Sequence, residues 1–276
     1  LVIFNTGMGF LYTNKLNLMH QIAKYFYVFV LKNIIMKHPN KKIIVENMID
    51  FKFLKKNYFL KKNEIFLLNG SGVNLSKFKK QKLNDKKIVL LPSRVIKEKG
   101  IKEFVIAANK LKRKFPSWNF YVAGTLNYKK KSGFTENEIK SLNKNNNVKF
   151  LGYVRDMIKL YKKISIVCLP SHREGFSKTL QEAAALGIPT VTTDAIGCKN
   201  AIIPGKTGEL CKTNNPNSLE KSLEKLMNNK RKRVIYGNNG RKLAKKKFDL
   251  KEILKKNLKI YKTLFSNEKT YFYSVK

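Results

Sequence analysis

From Asp85 onward the chain alternates short apolar runs with longer segments in which apolar residues recur every three or four positions. The short runs predict strands at Ile88–Leu91, Asn119–Ala123, Val148–Leu151, Ile164–Leu169, Thr190–Thr193 and Gly208–Cys211. The periodic segments predict helices at Ile101–Phe115, Thr135–Leu142, Arg155–Lys162, Ser177–Leu186 and Ser218–Met227. A strand such as Ile164-Ser165-Ile166-Val167-Cys168-Leu169 carries apolar side chains toward both faces, as a parallel sheet covered by helices on each side requires. This alternation predicts a doubly wound α/β domain, which binds ligands at the carboxyl ends of its strands.

Before Asp85 the same pattern is shorter. It predicts strands at Leu1–Asn5, Lys42–Glu46 and Ile65–Leu68, and helices over about Lys15–Met36 and Asp50–Tyr58. These pieces are too few to close a Rossmann-like lobe, so the chain is expected to begin in mid-fold with the front of this lobe missing. The predicted division is residues 1–84 as a partial N-terminal lobe with its linker and 85–250 as the C-terminal lobe. Residues 251–276 complete it as a helix, from about Lys251 to Phe265, and a frayed tail. The run Lys230–Lys247 reads as a long basic stretch.

Composition narrows the function. The three cysteines, Cys168, Cys198 and Cys211, are odd in number and lack CxxC spacing. That argues against a disulfide framework or zinc site and fits a reducing compartment. The longest apolar stretch, Tyr25 to Leu31, lies between Lys24 and Lys32 and falls far short of the roughly 20 residues a bilayer span needs. Its helix either rests on a membrane surface or forms part of a lobe core. The net charge of +40 suits polyanionic partners. The lysines are nevertheless spread along the chain, many asparagines accompany them, and no nucleic-acid-binding pattern occurs. Compositional drift with general attraction to an anionic membrane accounts for them better than specific nucleic-acid recognition.

Three segments that follow predicted strands carry candidate chemistry. In Pro92-Ser93-Arg94-Val95-Ile96-Lys97-Glu98-Lys99-Gly100, a guanidinium and an ammonium on one turn can hold a diphosphate from two sides and stabilise it as it departs. Taken alone, it reads better as a solvated basic turn in a very basic chain. In the segment from Leu169 to Pro189, Gly175 permits close backbone approach, and the amides of Phe176 and Ser177 open a helix that attracts phosphate. Glu174 and Glu182 are bidentate acceptors suited to vicinal hydroxyls. As isolated residues they read as a helix N-terminal charge and an i, i−4 partner of Lys178. The third segment is Thr192-Thr193-Asp194-Ala195-Ile196-Gly197-Cys198-Lys199-Asn200. The turn Gly124-Thr125 could face a nucleobase.

Together these segments resemble glycosyltransferase family 4, the retaining enzymes of the GT-B fold. Glu174 to Glu182 has the family's E-x7-E form. Arg94 and Lys99-Gly100 match its R-x4-K-G clamp, and Gly70-Ser71-Gly72-Val73-Asn74-Leu75-Ser76-Lys77-Phe78 matches the linker, with asparagine where aspartate is usual. Pro170-Ser171-His172-Arg173-Glu174-Gly175, Thr193-Asp194, Gly197-Cys198 and Thr6-Gly7-Met8-Gly9 look like the bacterial branch that extends polyprenyl-diphosphate-linked sugars for surface glycans.

The resemblance implies a GT-B protein of two Rossmann-like, doubly wound lobes, the N-terminal one incomplete. Arg94 and Lys99 would hold the donor diphosphate, Glu174 the sugar and Glu182 the ribose. Gly124, Gly175, Phe176 and Ser177 would line the donor, with Gly7 and Gly9 on the acceptor side. Arg94, Lys99 and Glu174 would carry catalysis. All four charged side chains should converge on one pocket. The resemblance also implies a UDP-hexose or UDP-N-acetylhexosamine donor, transfer with retention, and no metal or other cofactor. The acceptor would be a glycan or polyprenyl-diphosphate-linked sugar, at the cytoplasmic face of the plasma membrane. Many relatives place a histidine near the reacting centre where this chain has Thr6-Gly7-Met8-Gly9, so no catalytic base is assigned. A partial acceptor lobe implies weak activity or none for this chain. An inert nucleotide-sugar-binding fragment and a nucleotide-sugar epimerase of the same architecture are the alternatives.

Overall fold

A computed structural model describes residues 1–6, 18–81, 85–126 and 132–265. The chain forms two compact units, Leu1–Ser71 with Leu250–Lys276, and Gly72–Asp249.

The first unit holds three parallel strands, β1 (Val2–Asn5), β2 (Lys42–Val45) and β3 (Ile65–Leu67), in that order across the sheet. Helix α1 (Leu18–Val30) continues as a π-helix over Leu31–Ile35, within the segment the periodicity marks as helical. Helix α2 (Met48–Asn57) is capped by Asn47, whose side chain accepts from the Asp50 amide at 2.8 Å. Leu31, Ile43, Val45, Leu54, Leu60 and Ile65 form this unit's core. Leu18, Met19, Ile22, Tyr25, Phe26 and Phe29 instead leave an apolar face of α1 exposed. Their spacing of three and four residues places them on one side of the helix. Among the described residues no helix is long and apolar enough to cross a membrane.

The second unit is a six-stranded parallel sheet. In chain order its strands are β4 (Ile88–Pro92), β5 (Asn119–Ala123), β6 (Val148–Phe150), β7 (Ile166–Leu169), β8 (Thr190–Thr193) and β9 (Gly208–Cys211). Across the sheet the order is β6-β5-β4-β7-β8-β9. The helices between them are α3 (Ile101–Lys114), α4 (Glu136–Leu142), α5 (Met157–Tyr161), α6 (Lys178–Leu186) and α7 (Pro216–Met227); α8 (Lys230–Lys247) and α9 (Leu250–Phe265) follow, α9 belonging with the first unit. Val89, Leu90 and Leu91 of β4 are fully buried, because helices cover both faces of the sheet. Helix α3 buries Ile101, Phe104, Val105, Ala107, Ala108 and Leu111, the stripe its periodicity predicts.

The strand order fixes where a ligand can enter. From β4 the chain runs outward to β6, then returns to build β7 on the opposite side of β4. The loops after β4 and β7 therefore diverge, leaving a crevice at the sheet's carboxyl edge where the winding reverses.

Candidate active site at the winding reversal

Two loops form the crevice, and close backbone packing locks them together. Gly100 ends the 3-10 turn Lys97–Lys99 at φ +71°, and a Cβ there would lie 2.1 Å from the Pro170 carbonyl oxygen. Only glycine combines that left-handed backbone with so close an approach. Thr179 Oγ1 donates to the Pro92 carbonyl at 3.2 Å, joining the start of α6 to the end of β4.

Across the reversal, Lys99 Nζ lies 2.6 Å from Glu174 Oε1. Both side chains are largely shielded, with 17% and 15% of their surface exposed, so this pair is less screened than a surface ion pair. Ser171 Oγ donates to the same carboxylate oxygen at 2.7 Å.

The segment after β8 supports the Glu174 loop from below. Glu174 N–H donates to Ile196 O at 3.2 Å, and Ser177 N–H to Gly197 O at 3.4 Å. Gly197 has φ +80°, and a Cβ there would sit 2.3 Å from Glu174 O. Ser177 Oγ accepts from the Leu180 amide, capping α6, while Phe176 turns its ring into the core against Phe248 at 5.6 Å between centroids. Ser177's amide and hydroxyl thus both have partners within the chain. Asp194 accepts from the Thr213 amide at 2.9 Å and hydroxyl at 2.6 Å, which ties β8 to the segment after β9.

At the same carboxyl edge of the sheet opens a cavity of about 420 Å³, lined by Arg94, Gly124, Thr125, Tyr153, Tyr161 and Glu182, among others. Its volume falls within the roughly 300–1,000 Å³ usual for small-molecule sites. Burial raises the Glu182 carboxyl above its ordinary range, although nearby Lys178 and the Tyr161 hydroxyl, 3.4 Å away, pull the other way. Tyr161 is itself almost completely buried.

The expected residues therefore gather at one sheet edge in two groups. Arg94, Gly124 and Glu182 share the cavity. Lys99 and Glu174 hold each other outside its lining, so the four charged side chains do not share one pocket, and Gly175, Phe176 and Ser177 carry the chain from Glu174 into α6. Gly7 and Gly9 lie outside the described residues. Sequence reading did not single out Ser171 or Tyr161, which hold the two glutamates. Ser171 stands within the Pro170–Gly175 string, three residues from its partner, whereas Tyr161 meets Glu182 across twenty-one residues, which no local pattern signals.

Comparison with known proteins places this geometry in a family. The profile described as "Glycosyl transferases group 1" matches residues 73–243. The chain is 27% identical over 253 residues to the capsular polysaccharide biosynthesis glycosyltransferase CapM of Staphylococcus aureus, covering 87% of this chain and 66% of CapM. It is 30% identical over 230 residues to the N,N'-diacetylbacillosaminyl-diphospho-undecaprenol alpha-1,3-N-acetylgalactosaminyltransferase of Campylobacter jejuni, covering 77% of this chain and 58% of that one. The chain thus spans between about half and two thirds of the length of these relatives. The crystal structure of Anabaena Alr3699/HepE in complex with UDP superposes with a TM-score of 0.75 at 18% identity, over 86% of this chain and 68% of that one. With that fold and the profile matched across the entire crevice, the chain belongs to the group 1 glycosyl transferases and has the GT-B fold.

Proposed function

We propose that the chain is the donor-binding part of a retaining glycosyltransferase that moves a sugar from a UDP-sugar to a lipid-linked glycan acceptor. The observation that carries this reading is the Lys99–Glu174 pair across the winding reversal, at the sheet edge that also carries the cavity lined by Arg94 and Glu182. A nucleoside diphosphate sugar presents a ribose diol, two phosphates and a sugar in a row. Glu182 accepts from the ribose hydroxyls, Arg94 and Lys99 meet the diphosphate, and Glu174, released from Lys99, accepts from the sugar hydroxyls.

The reacting bond joins the anomeric carbon to a diphosphate oxygen. As it breaks, negative charge collects on that oxygen, where two fixed cations stabilise it more than in the ground state. The acceptor hydroxyl attacks from the same face and gives its proton to the departing diphosphate. Configuration is retained, and no protein base is needed. The Campylobacter relative's name describes transfer to a diphospho-undecaprenol sugar, which supports the acceptor class, and the Anabaena neighbour's UDP supports the donor nucleotide.

Calorimetric titration with UDP should show binding that Arg94→Ala and Lys99→Ala each weaken by about tenfold or more, the scale of a lost charge-assisted contact. Unchanged affinity in both variants would overturn the assignment. Radiolabelled UDP-sugar then separates transfer to lipid from interconversion of the free donor, the signature of an epimerase.

A further inference from the structure

Lys99 and Glu174 are not the only side chains that tie the turn before α3 to the loop after β7. Glu103, in the first turn of α3, holds Oε1 3.1 Å from His172 Nε2, and His172 stands two residues before Glu174. The backbone is joined between the two ties as well, His172 N–H donating to Glu98 O at 2.8 Å. The opposite pairing would set the Glu103 and Glu174 carboxylates against each other, so repulsion disfavours it and the two segments meet in one register.

The Glu103 tie is a firm one. Burial raises its carboxyl, but the hydrogen bond from His172, with smaller contributions, outweighs burial and holds it below the usual carboxylate range. Its side chain is only 13% exposed, and Oε2 is buried without a hydrogen-bond partner. Pulling His172 away would leave a shielded charge with even less to satisfy it, which is costly.

The two ties differ in what a ligand does to them. On the donor reading, Lys99 turns to the diphosphate and Glu174 to the sugar, so their mutual contact is exchanged for contacts with the ligand. Glu103 has nothing to exchange, because Oε1 faces His172 and Oε2 is enclosed. Its tie outlasts the other and keeps the backbone of Glu174 in place while the carboxylate changes partner. A loop already ordered spares binding the cost of ordering it.

We infer that Glu103 is a positioning residue which, through His172, holds the Glu174 loop against α3 and so governs affinity for the sugar end of the donor without touching it. The link to the sugar rests on the donor reading; the tie itself does not.

The test compares Glu103→Met, which removes charge and acceptor at similar size, with Glu103→Gln, which keeps an acceptor. One readout is hydrogen-exchange protection of the Glu174 and Ser177 amides, which donate to the Ile196 and Gly197 carbonyls. The other is calorimetric affinity for UDP, UDP-glucose and UDP-N-acetylglucosamine. Glu103→Met should lower protection of both amides by about tenfold or more, the effect of losing a hydrogen bond to a charged group, and leave that of Val122 in β5 unchanged. It should weaken the tighter-binding UDP-sugar by about tenfold while UDP stays within about twofold. Glu103→Gln should recover part of both losses. Unchanged protection, or an unchanged affinity for the UDP-sugar, overturns the inference. So do equal losses for UDP and UDP-sugar, which would assign Glu103 to the stability of the whole crevice. Lowered protection in the variant of a chain that binds neither nucleotide would instead retain the tie and remove the donor reading.

Discussion

At the scale of single residues, burial shifts one carboxyl in each of the two compact units. Burial raises the Glu182 carboxyl, so it takes up a proton more readily in the folded chain than in the unfolded one. Its contribution to stability is complete at pH below the ordinary glutamate value and is lost as pH rises through the raised one. Donor binding should run the opposite way, because only the carboxylate accepts two ribose hydroxyls well. UDP affinity should therefore strengthen as pH climbs past that midpoint, and Glu182→Gln should flatten the profile in calorimetric titrations. In the first unit, burial raises Glu46, at the end of β2, to about 7. Its stabilisation is full below about pH 4.5 and disappears as pH rises through about 7. The melting temperature of Glu46→Gln should gain on the wild type between pH 6 and 8 and show no such gain at pH 4. Parallel melting curves of the two proteins would refute this assignment.

At the scale of elements, the crevice depends on how β4, β7 and β8 end. A methyl group at Gly197 would collide with the Glu174 carbonyl in a left-handed backbone. Gly197→Ala should therefore push the Glu174 loop outward, lower the melting temperature and reduce UDP affinity. Gly205 has the similar φ of +71°, yet nothing lies within 4 Å of a Cβ there. Gly205→Ala should cost only the backbone penalty of about 1–2 kcal/mol and leave UDP binding unchanged. Equal losses of affinity in both variants would show that loop packing is not what positions Glu174.

Much of this scale was legible. The strands at Asn119–Ala123, Thr190–Thr193 and Gly208–Cys211 stand where the sequence predicts them, and β4 and β7, buried on both faces, carry the continuous apolar signature most clearly. The basic stretch Lys230–Lys247 hid a helix. Its inward face is Arg233, Tyr236, Gly237, Gly240, Leu243 and Ala244, correctly spaced but small or charged, so hydrophobic periodicity is faint. Arg233 is buried there by donating to the Leu226 and Met227 carbonyls and pairing with Asp85, partners no local pattern reveals. The charged residues that gather at the sheet edge were legible as spaced motifs. The tie between α3 and the loop after β7 was not, because Glu103 and His172 meet across 69 positions.

At the scale of the whole molecule, a net charge of +40 and the exposed apolar face of α1 bear on where the protein works. We propose that both favour an anionic bilayer surface, where basic groups are attracted within a Debye length and apolar side chains enter the headgroup region. In flotation with liposomes, binding should require anionic lipid and should weaken, without vanishing, as salt rises from about 0.1 M to 1 M. Replacing Tyr25, Phe26 and Phe29 by serine should remove the salt-resistant fraction. Equal recovery on neutral and anionic vesicles would end the proposal.

The contact between Lys99 and Glu174 also bears on selectivity. An intruding anion that engages only the lysine strands the glutamate without its counter-charge in a shielded place, so inorganic phosphate gains little by entering. A molecule carrying an anion and a neighbouring diol compensates both partners at once. On the proposed donor reading, the pair would thus act as a filter, disfavouring simple ions relative to the composite ligand.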